Sequence, residues 1–164
     1  MKEIVLISDT HSKLDERCFK YLEKADEIWH AGDIGDITII NKLEKFAPTR
    51  CVWGNIDSHA LRSNLEKTLC FRCEKVKVII THIGGYPGKY HKNILPIIEK
   101  ERPNLFICGH SHILKIIYDK KYDLLHMNPG AIGNYGIHKI KTIIVFKING
   151  GKIENLNIIE FPRI

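Results

Sequence analysis

Five short apolar runs, each closing on residues that can ligate a metal, constrain this chain more than any other feature. Residues 3–8 (EIVLIS) run into Asp9-Thr10-His11, 27–31 (EIWHA) into Gly32-Asp33, and 50–53 into Gly54-Asn55. Residues 76–81 (VKVIIT) run into His82, and 105–108 (LFIC) into Gly109-His110-Ser111-His112. Apolar runs of this length, bounded by turn residues, read as buried strands. Between the first three lie helical stripes: Leu14, Cys18, Tyr21, Leu22 and Ala25, then Ile37, Ile40 and Leu43, closed ahead of Pro48. The first third is therefore βαβαβ, the pattern of a parallel sheet. Residues 69–71 add a strand, IGGYPGKYH a Gly-rich loop, and 93–101 a helix stopped by Pro103. The remainder reads as hairpins: 113–118 with 124–127 across Lys120-Lys121, and 142–148 with 153–161 across Asn149-Gly150-Gly151. The expected fold is a mixed α/β sandwich, not a simple doubly wound sheet.

Composition narrows the function classes. A chain of 164 residues, 44% hydrophobic and 27% charged, is expected to form one globular domain over 1–164 rather than a disordered tail. No window approaches the ~20 apolar residues of a membrane span, so no membrane partner is expected. The amino terminus MKEIVLISDTHS lacks a signal-peptide core. With an odd count of five cysteines, this suggests a reducing, cytoplasmic setting. The net charge of +6 favours anionic ligands, but the charges are scattered, so nucleic acid is not expected as a stable partner. Cys70-Phe71-Arg72-Cys73 matches CxxC without a second pair, and strand residues three apart face opposite sides; no zinc or redox role is expected.

In open α/β sheets, ligands gather beyond the carboxyl ends of the strands, where residues distant in sequence meet. A single histidine there is ordinary. Asp9, His11, Asp33, Asn55, His82, His110 and His112 together are hard to explain by packing. Carboxylate and imidazole suit Mn, Fe, Zn or Ni, and no thiolate is placed for a sulfur-rich site. Asp33 could bridge two ions. Two divalent ions, less Asp9, Asp33 and a bridging hydroxide, would leave roughly one positive charge to attract a phosphate. Ions ~3.5–4 Å apart would clamp that phosphate and acidify a bound water for in-line attack.

The ordered pattern D-x-H … G-D … G-N … H … G-H-x-H resembles the calcineurin-like metallophosphoesterases across about residues 1 to 160. The small size and Asn128-Pro129-Gly130 look like its compact bacterial and archaeal phosphodiesterase branch. The resemblance implies two facing mixed β-sheets flanked by helices, an αββα sandwich. It implies that Asp9, His11, Asp33 and His112 hold one metal and Asp33, Asn55, His82 and His110 the other. Manganese is the metal expected, with Ni, Fe, Zn or Mg as alternatives. The activity implied is hydrolysis of small phosphodiesters by a metal-bridging hydroxide, with Asp33, Asn55 and His82 acting through metal and phosphate.

Many relatives read G-N-H-D or G-N-H-E, with a histidine thought to protonate the leaving group; here Ile56 stands in its place. His59 and His91, read as loop residues near the site, are the candidate acids or substrate contacts, with Asp57 next. Residues 84–89 read as a lid or a plain loop, with Lys89 on phosphate if a lid. His30 and Trp29 read as strand residues, and His126 is ambiguous. Two other classes remain: a non-catalytic scaffold like the retromer subunit of the same fold, and a nuclease. A homo-oligomer is possible.

Overall fold

Two five-stranded mixed sheets face each other across an apolar core in the computed structural model of residues 1–164. The first sheet runs β12 (Lys152–Pro162), β11 (Ile140–Asn149), β1 (Lys2–Ile7), β2 (Glu27–His30) and β3 (Thr49–Cys51). The second runs β4 (Thr68–Cys73), β5 (Val76–Thr81), β8 (Leu105–Ile107), β10 (Leu124–Pro129) and β9 (Leu114–Asp119). β1, β2 and β3 are parallel, as are β5, β8 and β10, while β11, β12, β4 and β9 pair antiparallel with their neighbours. Parallel pairing aligns the carboxyl ends of these strands, so their following loops emerge at one edge.

The helices are short. A 3-10 turn at Glu16–Cys18 leads into α1 (Phe19–Leu22), and α2 (Ile37–Glu44), α3 (His59–Asn64) and α4 (Leu95–Glu101) follow. The inner strands are buried on both faces, which explains their continuous apolar runs. In β1, Ile4 and Leu6 point between the sheets, whereas Val5 and Ile7 pack with Leu22, Ile39 and Leu43 of the helices. On the far side of the second sheet, Ile79, Phe106 and Leu124 pack with Ile98 of α4. Trp29 joins the two sheets: its ring lies edge-on to Phe71 at 5.2 Å and to Phe146 at 5.8 Å. Its Nε1–H donates to Glu27 (2.9 Å), leaving no buried donor unpaired.

Three details depart from the sequence reading. Residues 59–64 form a helix, opened by Ser58, whose side chain accepts from the Leu61 N–H. Only Leu61 is buried there, so no apolar stripe marked it. His59 is therefore a helix residue, not a loop residue. The Gly-rich segment is a small hairpin of β6 (Gly85–Tyr86) and β7 (Lys89–Tyr90). Strand β3 stops at Cys51; Val52 makes only an isolated bridge to Glu66.

Asp15 ties the first connection to the start of β11 in the first sheet. It accepts from Arg17 Nε (2.9 Å), Arg17 Nη2 (2.7 Å) and Lys141 Nζ (2.9 Å). Arg17 chiefly, with Lys141, holds its carboxyl well below the usual carboxylate range against the effect of burial. A depressed folded-state pKa gives stability above the unfolded value and loses it as pH falls. Asp15→Asn is therefore expected to lower unfolding free energy by about 1–3 kcal/mol at neutral pH. Urea titrations should show that difference shrinking towards pH 2; a pH-independent difference would contradict the assignment.

Candidate metal centre

The loops at the shared edge are stitched by backbone bonds: Asp9 N to Gly32 O, His11 N to Asp33 O and Gly109 N to His82 O, each 3.0 Å. Asp9, His11, Asp33, His110 and His112 all adopt left-handed backbone conformations, with φ of 55°, 44°, 56°, 71° and 61°. Non-glycine residues there cost on the order of 1–3 kcal/mol each and persist only where their surroundings enforce them. The chain thus turns sharply at each strand end and directs these side chains into one volume. Glycines permit the close approach: a Cβ at Gly54 would strike the backbone and carboxylate of Asp33, and one at Gly109 would strike Ser8 and Asp9.

Two three-residue clusters result. Ligand atoms of Asp9, His11 and His112 lie within 4.8 Å of one another, and so do those of Asp33, His82 and His110. Asp33 faces both clusters: Oδ1 is 3.2 Å from His82 Nε2, and Oδ2 is 3.4 Å from His11 Nε2. Asp9 Oδ1 is 3.3 Å from His112 Nε2 and 3.9 Å from His82 Nε2. Asp9 Oδ1, His11 Nε2 and His82 Nε2 are buried without a properly directed hydrogen bond. Unpaired buried polar atoms are rare, and each costs about 1–3 kcal/mol. Three converging on one volume, drawn from carboxylate and imidazole, fit hard or borderline divalent cations. Asn55 is exposed and, with His82, lines the wall of an adjoining cavity.

The atoms left free are free because their neighbours are occupied. Asp9 Oδ2 accepts from Ser8 Oγ (2.6 Å) and the His110 N–H (3.2 Å), which aims Oδ1 inward. His82 Nδ1 lies 2.7 Å from the Ala31 carbonyl, so Nδ1 carries the proton and Nε2 presents its lone pair. Burial alone would lower the His82 pKa, but Asp33 and Asp9 outweigh it and raise it. Burial likewise opposes the Asp33 charge, yet His82 and the Ile56 N–H hold its pKa down. Ile56, whose side chain is exposed, thus contributes through its backbone (3.1 Å to Asp33 Oδ1).

Residues outside the expected ligand set brace this arrangement. His30 is fully buried; Nδ1 accepts from the Gly32 N–H (3.1 Å), and Nε2 is 3.0 Å from Thr10 Oγ1, which donates to Ile34 O. Burial pushes its pKa down to about 4, so it is a neutral spacer between the first two ligand loops. The buried carboxyl group of Asp57, the fallback acid of the sequence reading, accepts from the N–H groups of Ile34, Gly35 and Gly54, clasping two ligand loops together. Asn128 donates to Gly109 O (2.9 Å) and Ser111 Oγ (3.1 Å), fixing the His110–His112 segment. Tyr135 stacks on His11 at 4.7 Å, and His138 lies edge-on to His112 at 5.3 Å.

Two cavities flank the second cluster. One, of about 410 Å³, is lined by Trp53, Asn55, Arg62, Lys67 and His82. The other, of about 270 Å³, is lined by Tyr86, Lys89, His110, Lys115 and His126. His91 and Ile83 line both. His59 lines neither; it is exposed, and its backbone carbonyl accepts from Ser63 Oγ on its own helix. Arg62 spans the first cavity wall, donating to the carbonyls of Asn55 and Asp57 with its guanidinium 4.4 Å over the Trp53 ring. No apolar pattern or motif distinguished it.

Comparison with known proteins agrees with this geometry. Residues 1–151 match the calcineurin-like phosphoesterase superfamily domain. A probable metallophosphoesterase of Methanothermobacter thermautotrophicus is 28% identical over 92% of this chain and 88% of its own length. One from Methanocaldococcus jannaschii is 29% identical over 78% of this chain and 67% of its own. Among solved structures, Vps29 of Entamoeba histolytica complexed with Zn²⁺ superposes with a TM-score of 0.76 at 16% identity, covering 98% of each chain. A Streptococcus pneumoniae protein described as a predicted phosphoesterase gives 0.67 at 21% identity, covering 99% of this chain and 98% of that one. No helix here is long and apolar enough to cross a membrane. With its sandwich of mixed sheets, its paired ligand clusters and a domain match over most of its length, the chain belongs to the calcineurin-like phosphoesterase superfamily.

Proposed function

We propose that this protein is a binuclear metal-dependent phosphodiesterase acting on small phosphodiesters. The observation that carries the reading is the convergence of three buried, unpartnered ligand atoms on a volume where Asp33 turns one oxygen to each cluster. Asp9, His11, Asp33 and His112 would hold one ion, and Asp33, Asn55, His82 and His110 the other, with manganese the metal to try first. Bound there, two divalent cations supply Lewis acidity to the phosphoryl group and lower the pKa of a water at the site.

The chain's own residues do the rest. Asp33 holds the clusters at fixed separation, because the Ile56 N–H and the Asp57 clasp immobilise its loop. His82 offers a lone pair fixed by Ala31. The two cavities give room for two ester arms, one on each side of His91, which favours a diester over a monoester. Arg62 and Lys67 add positive charge at the wall of the larger cavity and favour an anionic substrate. Because it lines both cavities, His91 is our candidate contact for the departing oxygen.

The non-catalytic reading keeps one argument. A Vps29 structure shares the fold and is described with zinc bound, so metal binding alone does not separate a scaffold from an enzyme. Turnover does. Metal-loaded wild-type protein is expected to hydrolyse bis(4-nitrophenyl) phosphate, and Asp33→Ala to lose more than about 10³-fold in kcat/KM along with most of its metal. Correctly folded, metal-loaded protein inactive on a broad ester panel would favour the scaffold.

A second test separates the two candidate histidines. His59→Ala should stay within about twofold of wild type on every ester, since His59 lines neither cavity. His91→Ala should lose about 10²–10⁴-fold on alkyl esters and far less on aryl esters, whose leaving groups need no proton. Equal losses on both ester types would assign His91 to binding instead of proton transfer.

A further inference from the structure

Strand β10 carries a histidine that neither the core nor the metal centre uses. His126 is 1% exposed, and its Nδ1 has no hydrogen-bond partner. Alternate residues of a strand share a face. On this face Leu124 packs into the α4 cluster, and Asn128 braces the His110 segment. His126 stands between them, its ring 5.8 Å from Phe106 and 6.3 Å from Tyr90. An apolar residue would fill that place at no polar cost; an imidazole with an unpaired nitrogen does not earn its position by packing.

What His126 lines is the smaller cavity, about 270 Å³, whose wall also includes His110 and Gly85, Tyr86 and Lys89 of the β6–β7 hairpin. That volume falls just below the ≈ 300–1,000 Å³ of pockets for drug-sized ligands, so it suits a group of triol or pentose size. Lys89, His91 and Lys115 line it and no carboxylate does, so it tolerates an anionic ester nearby. Lys115 Nζ sits 4.3 Å over the Tyr86 ring, fixing one wall. Burial chiefly, with the Lys115 charge, pushes the His126 pKa down to about 4. The ring is therefore neutral near pH 7, with one nitrogen a donor and the other an acceptor.

We propose that this cavity is the subsite for one arm of the phosphoester, a small hydroxylated alcohol group that hydrogen-bonds to the imidazole of His126. The proposal rests on the phosphoesterase reading for the ester that delivers the arm. The cavity supplies the selectivity: a hydroxyl entering it meets His126, whereas an alkyl arm leaves the imidazole unpaired.

The test compares two 4-nitrophenyl phosphodiesters whose second arm is propyl or 2,3-dihydroxypropyl, hydrolysed by the Mn²⁺-loaded protein. Wild type is expected to prefer the dihydroxypropyl ester by about tenfold in kcat/KM. His126→Phe keeps an aromatic ring against Phe106 and Tyr90; it should bring the ratio of the two esters to about one. His126→Gln, which restores a donor and an acceptor, should recover part of the preference and carries the test if the Phe variant fails to fold. A wild-type ratio near one, or a ratio unchanged in His126→Phe, overturns the proposal. If neither ester is hydrolysed, the phosphoesterase reading fails separately. The cavity is then judged by titrating glycerol 3-phosphate against the His126 Cε1–H resonance, assigned by its loss in His126→Gln: a saturable shift in the wild-type protein supports the subsite, and no saturable shift overturns it.

Discussion

Everything at the candidate centre depends on Asp33 being held in a conformation it would not choose. Its φ is 56°, its carboxylate is buried, and its two oxygens face different histidines. Left-handed backbone and a buried charge both cost free energy. The offset comes from the Ile56 N–H on Oδ1, from the Asp57 clasp on the neighbouring loop, and from backbone pairing with His11. The two sheets supply the rigidity behind these contacts, because strands buried on both faces cannot shift without opening the core.

The same logic explains why polar residues populate the interior beyond the ligands. His30, Asp57 and Asn128 are buried, hydrogen-bonded and aimed at loop backbone, not at solvent. Each fixes one ligand loop relative to the next. Their arrangement is that of groups that hold the candidate metal ligands in fixed positions.

Much of this was legible in the sequence, for a physical reason. A strand buried on both faces is a continuous apolar run, and the loop after it must carry the ligands; the runs ending at Asp9, Asp33 and His82 therefore announced both the fold and the candidate site. Helix α3 was not legible, because a six-residue helix with only Leu61 buried leaves no period to read. That omission misplaced His59. Asp57 stood only as a fallback acid after His59 and His91, since a sequence shows the carboxyl group but not the three N–H groups that donate to it. Arg62 escaped, and His126 stayed ambiguous, for a similar reason: their significance lies in which cavity they line, and that is set by strand register and helix position far from them in the chain.

The central claim is that Asp33 joins two metal ions in one centre. Its most direct test is a crystal structure of the protein grown with Mn²⁺, with anomalous scattering used to locate the metal. The account predicts two anomalous peaks roughly 3.5–4 Å apart, with one Asp33 oxygen or both contacting each ion. A single peak, or two peaks of which only one touches Asp33, would contradict it.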